Sequence, residues 1–156
     1  MTSKQDFTDE EWARIRRAPL VAGVAISLAD PGGPIELAKE TMATLRSATL
    51  PPSQEELLAS VALDVQAMTQ HKQNPLGDFK PRGGQQVLEE LRGVNELVTA
   101  KATPEEVEAF RRWLVTAAQA AADAAKEGGF LGFGGEQVSA GEQQMLDQVR
   151  AAIGAA

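Results

Sequence analysis

Four times along this chain a Ser or Thr is followed three residues later by Glu, at Thr8–Glu11, Ser53–Glu56, Thr103–Glu106 and Ser139–Glu142. Each pair heads a run whose apolar residues recur at three- and four-residue intervals. This is the capping box: the hydroxyl accepts the N–H of the third helical residue, and the carboxylate reaches back to the N–H of the cap. No run of β-branched or aromatic residues alternates with period two, so the pattern excludes a sheet and predicts an all-α fold. Pro19 and Pro34 mark two more starts, since a fixed φ and a missing N–H are harmless in a first helical turn. The map that follows has seven helices, near 8–18, 19–30, 34–48, 53–71, 84–101, 104–127 and 139–153. They form one bundle over residues 1–156, with residues 1–7 read as a flexible tail.

The faces of these helices say how they pack. Leu57, Leu58, Val61, Val65 and Met68 make one stripe, and Val87, Leu88, Leu91, Val94 and Val98 another. The run from Pro19 to Ala29 is apolar all round, which places it in the middle of the bundle. Phe110, Trp113 and Leu114 lead into an alanine tract at Ala117–Ala125, which suits either close helix approach or simple helix propensity. Glycine pairs at Gly32-Gly33, Gly83-Gly84, Gly128-Gly129 and Gly134-Gly135 fall at helix boundaries.

Charge and composition narrow the function. With 15 Lys+Arg against 22 Asp+Glu the net charge is −7, which disfavours nucleic acid and anionic lipid as partners. The absence of cysteine removes disulfides, thiolate nucleophiles and thiolate metal sites. The apolar run at 19–29 is short of the roughly 20 residues that cross a bilayer, so no membrane insertion is expected. The polar stretch Met1–Phe7 does not resemble a secretory signal, and the expected location is cytoplasmic.

Chemistry-bearing residues are few. His71, the single histidine, sits at a helix end where the dipole favours it, and no Glu-x-x-His pair accompanies it. No Gly-x-Ser-x-Gly elbow is present, and no catalytic residue is assigned. Asp64 lies on the apolar stripe of its helix, either as a buried carboxylate of functional use or as an edge residue paired with a cation. Asp123, inside the alanine tract, invites the same two readings. The loop Lys72–Gly84 ends in Lys80, Arg82, Gly83 and Gly84 at a helix start, an arrangement suited to an anion. The other reading of this loop is a staple, with Leu76 and Phe79 holding it to the bundle. Phe130, Leu131 and Phe133 among the glycines of residues 128–135 are either a plug in the core or an apolar contact for a partner. The Gly-rich stretch lacks the Gly-Lys-Ser/Thr ending of a phosphate loop.

Two segments, Ala29-Asp30-Pro31-Gly32-Gly33 leading to Glu36 and Glu40, and Gly134 to Glu142 leading into an amphipathic helix, resemble the tellurite-resistance B-like (TerB-like) family. In these all-helical bacterial proteins a helix ending in Ala-Asp-Gly turns into one begun by a Ser/Thr-x-x-Glu cap. Here Asp30-Pro31-Gly32 replaces Asp-Gly, and the second segment lacks the aspartate. The chain also resembles uncharacterised bacterial proteins that share the GGFLGFGG stretch. The TerB-like resemblance implies a non-enzymatic role in stress response or interaction. Asp30, Glu36 and Glu40 then form a candidate Ca²⁺ or Mg²⁺ site, Glu36 and Glu40 sharing a helix face; the alternative is capping and a favourable dipole. No cofactor is otherwise predicted.

The sequence thus leads to a non-enzymatic helical protein that acts through protein contacts, self-association into a dimer included, or through weak ligand binding. A divalent-cation protein is one alternative. An enzyme or small-molecule and anion binder with a pocket between helices is the other.

Overall fold

The computed structural model describes residues 2–29, 34–127 and 139–155. Among them are six α-helices: α1 Asp9–Ala29, α2 Pro34–Ala48, α3 Glu56–Gln70, α4 Gly84–Lys101, α5 Pro104–Glu127 and α6 Ala140–Ile153. One 3-10 turn at Lys4–Asp6 precedes them, and the described residues contain no strand.

Among the described residues there are six helices and not the expected seven, because the two read near 8–18 and 19–30 fall in the single α1, Asp9–Ala29, with Pro19 inside it. Proline in a helix interior loses one hydrogen bond and costs about 3 kcal/mol. Here Ile15 and Ala18 before it and Leu20, Val21, Ala22 and Ile26 after it are buried in the same core. Each large aliphatic side chain among them stabilises by roughly 1.5–3 kcal/mol, which outweighs the missing bond. All residues from Ala18 to Gly23 are buried, so α1 runs through the middle and touches each of the other five helices.

The longest helix, α5, lies along both α1 and α2. Ala117, Ala118, Ala121 and Ala122 are buried at i, i+1, i+4 and i+5, so the tract is a packed face and not only a strong helix former. Phe110 and Trp113 meet edge to face at 6.3 Å, and the Trp113 indole N–H donates to the Ser47 carbonyl at 2.7 Å, tying α5 to the end of α2.

Three of the four capping boxes form. Thr8 and Glu11, Thr103 and Glu106, and Ser139 and Glu142 exchange bonds of 2.9–3.2 Å. Ser53 does not cap α3; its hydroxyl accepts from Glu55 N–H and the helix begins at Glu56. The α3 start is satisfied from outside, by a carboxylate on α5. Glu106, 1 % exposed, accepts the N–H of Leu57 at 3.4 Å, the N–H of Thr103 at 3.2 Å, and both the N–H and the hydroxyl of Thr2 at 3.1 and 2.7 Å.

Glu106 therefore joins the starts of α3 and α5 to Thr2, so the segment expected to be a flexible tail is held at Thr2 and Phe7, while Lys4, Gln5 and Asp6 between them are exposed. Phe7 is buried against Trp12 with ring centroids 6.1 Å apart, and the Lys101 ammonium lies 5.3 Å from the Phe7 ring while donating to the Asp6 carbonyl.

Burial pushes the Glu106 carboxyl upward, but the hydrogen bonds from Thr2, Thr103 and Leu57 outweigh it and hold the group below the ordinary glutamate range. A depressed folded-state value stabilises the fold above the unfolded pKa, and that contribution is lost as pH falls through the folded value. Replacing Glu106 with Gln should cost about 1–3 kcal/mol in urea denaturation at pH 7. The gap between the two proteins should narrow as pH falls below about 4.3. A gap that stays constant down to pH 3 would show that the charge is not what the hydrogen bonds stabilise.

Candidate functional site

The residues singled out from sequence are distributed over several places. Asp64 is at the edge of the α3 stripe, its side chain 29 % exposed, and its Oδ2 accepts the Trp12 indole N–H at 2.7 Å and faces Lys4 Nζ at 3.3 Å. Asp123 is exposed and accepts from Gln119 Nε2 at 3.0 Å. His71 ends α3, its N–H donating to the Ala67 carbonyl. Glu36 is half-buried on α2, and Glu40, 2 % exposed, accepts a hydrogen bond from the Ser27 hydroxyl of α1. Asp30 lies outside the described residues, as do Phe130, Leu131 and Phe133. Among the described residues no group of three or more His, Cys, Asp or Glu is placed to hold a metal ion.

The loop before α4 folds on itself through an Asx turn. Asn74 Oδ1 accepts from Leu76 N–H, the Asn74 carbonyl accepts from Gly77 N–H, and Gly77 adopts φ +60°. Leu76 and Phe79 pack against the core, and the Arg17 guanidinium stacks 4.9 Å over the Phe79 ring. Lys80 lines a cleft of about 500 Å³ with Arg14 and Arg17 of α1 and Gln86, Glu89 and Glu90 of α4. Its cations are matched by anions: Glu90, side chain 8 % exposed, takes Arg14 Nε at 2.7 Å and Arg17 Nη2 at 2.5 Å, and Asp78 and Glu89 stand at the rim. Arg82 does not line this cleft; its N–H donates to Gln86 Oε1 at 2.6 Å. Gly83 is the extended cap of α4, and a Cβ on Gly84 would come 2.6 Å from the Met145 methyl, so that glycine admits α6.

The unexpected feature is α2. Its inward residues at four-residue spacing are Glu40, Thr44 and Ala48, all buried, so two of the three are polar. The Thr44 hydroxyl turns back to the Glu40 carbonyl at 2.7 Å, and Glu40 is met by Ser27 of α1. Opposite Thr44 stands Gly23 of α1, where an added Cβ would overlap the threonine side chain outright. This close approach leaves a small hollow of about 90 Å³ lined by Ser27, Thr41, Thr44, Val24 and Leu76 among others.

The outward side of α2 carries apolar residues between two cations. Ile35 and Met42 are 71 and 61 % exposed. Ile35, Ala38, Lys39, Met42, Ala43 and Arg46, at i, i+3, i+4, i+7, i+8 and i+11, line an open groove of about 680 Å³ closed on one side by Ala124 of α5. A surface helix ordinarily turns its apolar stripe to the core. This one leaves Ile35 and Met42 in solvent and buries a glutamate and a threonine beside Ala48, with Leu45 half-buried against the core.

The stripe was visible in the sequence as Ile35–Met42 spacing. The direction it faces was not, because that depends on Gly23 and Ser27 of another helix. No family model, curated protein or solved structure matches the chain.

The Gly23–Thr44 approach yields a sharp expectation. Gly23→Ala should destabilise the protein by about 1–3 kcal/mol through overpacking. Adding Thr44→Ala should recover part of that loss, so that the two changes are non-additive in thermal or urea unfolding. Additive losses would show that α1 and α2 do not meet there.

Proposed function

We propose that this protein is a helical docking module whose outward α2 face binds a helical segment of another polypeptide. The observation that carries the reading is the reversed polarity of α2. Exposed apolar side chains set singly on a surface need no explanation, but Ile35, Ala38 and Met42 form a continuous stripe at helical spacing beside a groove. Such a groove suits the helix-in-groove mode of recognition, in which anchors at i, i+3 and i+7 enter an apolar channel.

The cleft around Lys80, Arg14 and Arg17 supports an anion-binding reading less well, because Glu90, Glu89 and Asp78 already balance its three cations. The divalent-cation reading of Asp30, Glu36 and Glu40 draws on the TerB-like resemblance; against it, Glu40 is engaged with Ser27 inside the α1–α2 contact. Stress-related and cytoplasmic roles belong to the same resemblance and the same sequence reading. No described helix is long and apolar enough to cross a membrane.

The test uses a fluorescein-labelled amphipathic helical peptide with a Leu/Ala stripe and Gln at every flanking position. Fluorescence anisotropy should show saturable binding to the full chain. The double variant Ile35→Gln with Met42→Gln should lose at least tenfold in affinity while its unfolding free energy changes by no more than about 0.5 kcal/mol, as for exposed sites. Peptide binding that the double variant leaves unchanged, or no binding at all, would remove the docking reading.

A further inference from the structure

Resting on that docking reading, we infer that the partner helix is acidic, carrying carboxylates seven residues apart that flank its apolar stripe. With Ile35 placed at position a of a heptad, Ala38 is d and Met42 is the next a. Lys39 and Arg46 then both fall at e, the position whose charges set partner choice in paired helices. They lie seven residues apart, roughly 10.5 Å along the axis. Both are exposed and line the groove, and neither forms an ion pair among the described residues.

The same register argues against a second copy of this chain as the occupant. An antiparallel pair of α2 helices brings e against e, which sets Lys39 and Arg46 of one copy against the same cations of the other. A parallel pair brings g against e, and g here is Thr41, which has no charge to offer. Neither orientation gives the two cations a partner, and one of them is repulsive. A partner with Glu or Asp at e for antiparallel docking, or at g for parallel docking, satisfies both.

The nearest acidic groups of this chain do not remove the preference. Glu36 is half-buried at position b, on the same side of the stripe as Lys39 and three residues before it, yet no ion pair joins the two; Asp123 on α5 accepts from Gln119 and does not line the groove. The net charge of −7 repels an acidic partner at long range. That field is largely screened beyond about 8 Å at physiological ionic strength, whereas the contacts with Lys39 and Arg46 are made within it. The preference therefore belongs to the contact and not to steered encounter.

The experiment compares two versions of the neutral peptide, one with Glu and one with Lys at the flanking heptad positions, against the full chain in 150 mM salt. Two exposed pairs, attractive in one case and repulsive in the other, should make the Glu peptide bind about tenfold tighter than the Lys peptide. The double reversal Lys39→Glu with Arg46→Glu should invert that order, and 500 mM salt should flatten it. If the neutral peptide binds but the Glu and Lys versions bind equally, or if the reversal variant keeps the original order, the acidic partner is wrong while the docking face stands. If no peptide binds and sedimentation shows a dimer lost on Met42→Gln, the occupant is a second copy and the inference fails with the reading beneath it. If peptides bind only after Phe130 and Phe133 are changed to Ser, the chain's own residues 128–138 compete for the face, and the inference is likewise overturned.

Discussion

The burial of α1 on every side is the constraint that the other five helices answer. A helix whose residues from Ala18 to Gly23 are all removed from water offers apolar surface in each direction. Each neighbour must turn a complementary strip towards it. α3, α4 and α6 do so with their apolar stripes, and α5 adds a face of alanine that allows close approach. The core that results runs from Phe7 to Ile153, and it outweighs the hydrogen bond that Pro19 cannot make.

α2 meets the constraint differently. Its docking edge on α1 is set by Gly23, which has no side chain, opposite Thr44, and by the Ser27–Glu40 hydrogen bond. Buried polar groups of this kind are tolerated because each finds a partner, and they fix one rotational setting of the helix more tightly than an interchangeable set of aliphatics does. With that setting fixed, Ile35, Ala38 and Met42 have only solvent or a partner to face. The outward stripe is thus a consequence of the inward contact, and the two halves of the functional proposal rest on one packing choice.

Much of this architecture is legible in the sequence. α4 and α5 start and stop where their apolar periodicity and caps place them, and the Thr8, Thr103 and Ser139 boxes form as written. Three features were not legible, each because a residue distant in sequence decides it. Pro19 reads locally as a helix start, yet burial on both flanks carries α1 through it. Ser53 reads as a cap, yet Glu106 on α5 supplies the acceptor for α3. The candidate site is hidden for the same reason: in sequence Glu40 groups with Asp30 and Glu36 as a candidate cation ligand, and only the approach of Gly23 and Ser27 places it inside. Lys80 reads from sequence as part of a loop suited to an anion, but Glu89 and Glu90, which line the same cleft, sit on α4 and come to it only through the fold.

The central claim is that α2 shows Met42 to solvent and hides Thr44, and the lack of native cysteine allows this to be read directly. Single-cysteine variants Met42→Cys and Thr44→Cys, each confirmed folded, are reacted with a chromogenic disulfide reagent under native conditions. The thiol at position 42 should react at close to the rate of a free peptide thiol, and the thiol at position 44 should be slower by at least a hundredfold and speed up only with denaturant. Equal protection of both positions in the monomer would mean that the outward stripe is covered by the protein itself, and would contradict the account.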